Sequence, residues 1–131
     1  MQHYSKLQVW QRSHKLVLEL YRMTQDFPQE ERYGLTAQLR RAALSVPTNI
    51  AEGSKRAAPR DYAHFINIAE GSLSETEYLL IVSRDLGYVA GETASRCLAE
   101  ASELLRMLHA LRKKVQGDAG PKPGPGKTVR C

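Results

Sequence analysis

The sequence predicts an all-α protein, an antiparallel up-down-up-down four-helix bundle with a kinked second helix. Three observations predict it. Four segments repeat their apolar residues at steps of three and four, the spacing of one helix face. No segment alternates apolar and polar residues with period two, the pattern of a half-buried strand. The connections are short, about five to eight residues, which makes consecutive helices antiparallel neighbours. A length of 131 residues suits one domain, with the bundle at 1–116 and a disordered Pro/Gly-rich basic tail at 117–131.

The first helix is expected over Lys6–Asp26. Ser5 and Gln8 have capping-box spacing, and Leu7, Trp10, Val17, Tyr21 and Thr24 share a face that Leu16, Leu20 and Met23 widen. Phe27-Pro28 stops it. The second is expected over Leu35–Glu52, on Leu35, Leu39, Ala42, Val46 and Ile50, with Gly53 in the left-handed position beyond its end. Pro47 lies inside and predicts a kink near Ala43–Val46. The third runs from Pro59, a good first helical residue, to Leu86, and Gly87 closes it. It is apolar nearly all round, through Ile66, Ile68 and the run Tyr78–Val82. Such a helix is buried on more than one side. Either it meets a partner subunit or it lies deep in a monomer. Gly71 at its middle costs about 1 kcal/mol against Ala, and a close helix approach explains keeping it. The fourth, Glu92–Gln116, carries the clearest repeat: Ala94, Cys97, Ala101, Leu104, Leu108, Leu111 and Val115.

Composition narrows the function classes. No apolar run approaches the ~18–20 residues of a membrane span, and no signal-like apolar stretch follows the N-terminus, so a cytoplasmic protein is expected. Cys97 and Cys131 make no disulfide framework. Metal and catalytic sets are missing as well. A di-iron bundle needs Glu-x-x-His on two helices, and no Glu here has His three residues later. Asp61 and His64 form one unrepeated pair. Gly124-Pro125-Gly126-Lys127-Thr128 imitates a phosphate-binding loop, but Pro121, Pro123 and Pro125 remove the N–H groups such a loop needs. No serine sits in a nucleophile elbow. The reading is therefore non-enzymatic, with no cofactor and no metal.

Two polar features carry the functional reading. Arg40, Arg41, Thr48, Asn49 and Glu52 on the second helix, with Glu70, Ser72, Glu75 and Glu77 on the third, adjoin apolar positions and predict a buried polar network between these helices. Arg41 or Asn49 is the candidate donor for the carbonyl of Ala43 that Pro47 leaves free. The second feature is charge. The chain carries a net +5, of which residues 117–131 supply +2. In an up-down bundle, one end gathers Lys6, Arg12, Lys15, Lys55, Arg56, Arg60, Arg112, Lys113 and Lys114 against Glu52 and Asp61. The other end is near balance. A basic cap neutralises phosphates and gains from counterion release. Lys55, Arg56, Arg60, Arg112, Lys113 and Lys114 are the candidate nucleic-acid contacts, to RNA or DNA. Cations placed merely for the helix ends give the same pattern, and a protein–protein adaptor is the alternative function.

The residues also carry a resemblance. Val9-Trp10-Gln11, the long run Gln38–Gly53 and the run Ile68–Glu75 resemble the bacterial four helix bundle protein family, also called the 23S rRNA intervening-sequence protein family, over about residues 5–115. The resemblance implies a four-helix bundle assembled as a ring-like homo-oligomer, a pentamer, with no agreed catalytic residue. A distant relative is the basic pentameric accessory protein of diversity-generating retroelements, which works with nucleic acid. The family's motif falls here on Arg41, Asn49, Glu52, Gly53, Gly71, Ser72 and Glu75, as structural positions. The third helix begins Ala58-Pro59-Arg60-Asp61, where relatives usually place a capping Ser.

Overall fold

Each apolar stripe finds a neighbour, and the result is four helices around one core. The computed structural model describes residues 3–117. Helix α1 spans Gln8–Thr24, α2 Leu35–Ser54, α3 Pro59–Asp85 and α4 Gly91–Gly117. Among the described residues there is no strand. Helix α2 packs on α1 and α3, and α4 on α3 and α1, while α1 and α3 are diagonal, with no close approach of their backbones. The core is filled by Leu16 and Leu20 of α1, Leu39, Val46 and Ile50 of α2, Ile66, Leu73 and Leu80 of α3, and Leu104 and Leu108 of α4. The α2–α3 and α3–α4 seams are the broad ones and the α1–α4 seam is the thinnest. Ion pairs stitch that thin seam: Arg12 to Glu100 at 2.6 Å, and Arg96 to Glu19.

The helix ends differ from expectation in physical detail. Ser5 and Gln8 do not form a capping box. Residues Tyr4–Lys6 make a 3-10 turn, and α1 begins after Leu7 with no side-chain cap. His3 Nδ1 instead accepts from the Ser5 N–H, and Gln11 donates to the Ser5 carbonyl. A second 3-10 turn, Gln29–Glu31, precedes α2, where Glu31 accepts from the Leu35 N–H at 3.1 Å. At the end of α3, Gly87 has φ +79°, the left-handed conformation that glycine adopts without strain. The N–H groups of Gly87 and Tyr88 bond the carbonyls of Arg84 and Ser83, which satisfies two otherwise free acceptors.

Two glycines exchange roles relative to the sequence reading. Gly53 lies inside α2 and is buried, not in a left-handed cap. A Cβ there would stand 2.6 Å from the Phe65 Cβ and 3.0 Å from the Tyr62 ring. Gly53 therefore brings α2 against the start of α3. Gly71 has open space on its side, so no helix of the same subunit approaches it closely. The tail expected from Gly117 lies, beyond that residue, outside the described residues. Among the described residues no helix is long and apolar enough to cross a membrane.

Candidate nucleic-acid interface

The basic end forms where three segments meet: the turn before α1, the α2–α3 junction and the last turn of α4. Gly53 allows α2 and α3 to close tightly, so Lys55, Arg56 and Arg60 leave from a short, fixed corner. Lys55 places its Nζ 5.7 Å from the centre of the Tyr4 ring, tying the N-terminal turn to that corner. Behind Tyr4 the rings continue. Tyr4 meets Trp10 edge-on at 5.1 Å, and Trp10 stacks on His14 at 5.2 Å. The spacing of Trp10 and His14, one helical turn apart, was a legible signal for that stack, whereas the Tyr4 contact needed the 3-10 turn.

The predicted contact residues divide into engaged and free cations. Arg112 donates from Nε to Glu70 at 2.6 Å, and both side chains are mostly shielded. Its charge is answered by α3, so it clasps the α3–α4 seam. Sequence reading placed Glu70 in a network toward α2, yet the two residues of this pair lie 42 positions apart. Arg56 pairs with Glu52 at 2.9 Å, one turn back, and lies 4.8 Å over the Phe65 ring. Lys55, Arg60, Lys113 and Lys114 are exposed and have no carboxylate within ion-pair distance among the described residues. Arg12, also expected in the cap, is held by Glu100, which keeps its guanidinium even more firmly protonated than usual.

The polar network between α2 and α3 is present and small. The Ser72 hydroxyl donates to the Ser45 Oγ at 2.8 Å, and the Asn49 amide donates to the same Oγ at 2.9 Å and to the Ser45 carbonyl at 2.8 Å. Asn49 thus serves Ser45, not the Ala43 carbonyl. Arg41 and Glu75 line a shallow groove of about 180 Å³ over this network, together with Gln38. Arg40 turns the other way, toward α1. Among the described residues, no three His, Cys, Asp or Glu side chains gather as a metal set.

A family model described as the 23S rRNA-intervening sequence protein matches residues 5–110. The chain belongs to that family. A crystal structure at 1.70 Å of a protein of unknown function from the S23 ribosomal protein family, from Bacteroides thetaiotaomicron, has a similar fold. Its TM-score is 0.72 at 21% identity, over 80% of this chain and 98% of that one. No curated protein matches. In this intervening-sequence protein the motif residues lie along the α2–α3 seam or at its end. Gly53 sets the helix approach, Asn49 and Ser72 meet at Ser45, and Arg41 and Glu75 flank the groove above them. Glu52 holds Arg56. Gly71 alone has no neighbour within the subunit.

Proposed function

We propose that this intervening-sequence protein is a non-enzymatic, self-associating scaffold whose basic end contacts the phosphates of nucleic acid. One observation carries the reading. At the end that the antiparallel order assembles from the α2–α3 junction and the last turn of α4, Arg56 and Arg112 are answered by carboxylates, while the exposed Lys55, Arg60, Lys113 and Lys114 are not, among the described residues. Unanswered, exposed cations hold condensed counterions poorly and release those of a polyanion on contact, which favours binding at low salt. The contacts are with phosphates and read no base sequence.

Self-association is supported by the outer side of α3. Ile68 and Tyr78 of α3 are exposed there, Tyr78 at 64%, and Gly71 leaves open space beside its backbone. A symmetric assembly through this side covers the apolar residues and multiplies the basic end around one axis. The pentamer belongs to this proposal, as does a cytoplasmic setting. If the face instead receives a different protein, the adaptor reading applies.

The test is a titration of fluorescent duplex RNA and DNA at several salt concentrations, with the mass measured in the same buffer. Micromolar binding that weakens steeply between about 50 and 200 mM salt is expected. Replacing Lys55, Arg60, Lys113 and Lys114 by Glu should abolish it without changing the mass. Tyr78→Glu should reduce the mass. No binding at about 50 mM salt by a folded oligomer overturns the nucleic-acid reading and leaves the adaptor.

A further inference from the structure

We infer that the groove between α1 and α2, in the half of the bundle away from the basic end, binds a nucleotide whose base is unstacked. Arg32, Arg40 and Arg41 take its phosphate and Tyr33 takes its ring. The groove has a volume of about 460 Å³, and its lining includes these four residues with Tyr21 and Leu44 but no carboxylate. Arg40 lies 15 residues before Lys55, the residue that follows α2, about 22 Å at 1.5 Å per residue, so this place is distinct from the basic cap.

Arg40 supplies the first argument. Its Nε donates to Thr24 Oγ1 at 2.7 Å, its Nη2 donates to the Tyr21 carbonyl at 3.2 Å, and its guanidinium lies 4.5 Å from the centre of the Tyr21 ring. Thr24 is itself fixed, since its hydroxyl donates to the Leu20 carbonyl at 2.8 Å. A half-buried cation is thus locked in one orientation by neutral groups alone. Its charge has no counterion among the described residues, although the other half-buried arginines described, Arg12 and Arg112, each have one. Arginine presents a planar fork suited to phosphate oxygens, and a fork already held in place loses little freedom on binding.

The surroundings specify more than an anion. The neighbouring carboxylate, Glu31, is occupied by the Leu35 N–H and the Tyr88 hydroxyl. Tyr33 is 86% exposed, and the Arg32 guanidinium stands 5.5 Å from its ring centre. A carboxylate partner would need only the arginines. An exposed ring beside three cations, with Leu44 as an apolar ledge, fits a base that can leave its stack. Aromatic stacking with basic neighbours is how unpaired nucleotides are held, and a duplex keeps its bases out of reach.

The full chain is titrated with uridine monophosphate, a fluorescent oligouridylate and a blunt RNA duplex, alongside Tyr33→Ala, Arg41→Ala and the four-Glu variant of the basic end. Both groove residues are exposed, so these variants should fold, which circular dichroism checks. Expected is a loss of about fivefold or more in oligouridylate affinity for Tyr33→Ala and for Arg41→Ala, with duplex affinity unchanged. Tyr33→Phe should keep the affinity. If the monophosphate competes fully for the groove, the ligand is the free nucleotide. If only the oligomer binds, it is a single strand. The four-Glu variant should lose the duplex and retain the groove-dependent part, so failure of the basic end is separable from failure of the groove. Unchanged oligouridylate binding in both groove variants overturns the inference. So does a changed subunit mass in those variants, which would make the groove a contact between copies. A chain that binds neither monophosphate nor strand overturns it too.

Discussion

Cys97 shows how a reactive atom becomes inert by position. It is 1% exposed in the α4 stripe, and burial, then the nearby Glu19 charge, pushes its thiol up to about 11. A thiol is a nucleophile only as thiolate, so Cys97 in a Cys131→Ser background should resist alkylation at pH 8 until the protein is denatured. The raised value also has a sign. Its stabilisation is complete below the unfolded thiol range and lost as pH climbs from about 9 toward about 11. Relative to Cys97→Ala, the native protein should lose about 2 kcal/mol over that window in denaturant titrations. At the same scale, Glu70 and Arg112 make a testable pair. Glu70→Gln should cost about 1–3 kcal/mol through the weakened charged hydrogen bonds. It should also tighten RNA binding at low salt, because Arg112 then joins the basic end. A stability loss with unchanged affinity would confine Arg112 to the seam.

At the scale of helices, the two glycines of the family motif predict opposite outcomes. Gly53→Ala must push the added methyl into Phe65 and Tyr62, and should destabilise by about 1–3 kcal/mol despite the better helix propensity of alanine. Gly71→Ala meets open space and should stabilise an isolated subunit by up to about 1 kcal/mol. Thermal melts with mass measurements check both. A lower mass for Gly71→Ala would show that a second subunit uses the space. The same helices show what sequence reveals. Stripes of three and four residues locate all four, and Pro59 and Gly87 mark the ends of α3, because local backbone chemistry decides them. The 3-10 turns at Tyr4–Lys6 and Gln29–Glu31 leave no periodic pattern. The role of Gly53 was misread, since a glycine near a helix end suits either a left-handed cap or a close approach, and only the position of α3 chooses between them.

At the scale of the molecule, charge pairing separates two cationic regions that the sequence blurs. Topology alone predicted the basic end, because antiparallel order fixes which termini meet. It did not predict which cations are spent there, since Glu70 and Arg112 meet only when α3 and α4 align. Nor did it bring Arg32, Arg40 and Arg41 beside Tyr21 and Tyr33, because half of that groove comes from α1. The uneven seams have a further effect. Helix α1 approaches α4 over a shorter stretch than it approaches α2, and two charged bridges, Arg12–Glu100 and Arg96–Glu19, span that seam beside a cleft of about 430 Å³. Ion pairs at such exposure weaken in salt, whereas the apolar seams of α3 do not. Amide hydrogens of α1 should therefore exchange before those of α3, and 1 M salt should widen the gap. Salt therefore loosens this bundle from one side only, while Leu16, Val17 and Leu20 keep α1 in the common core.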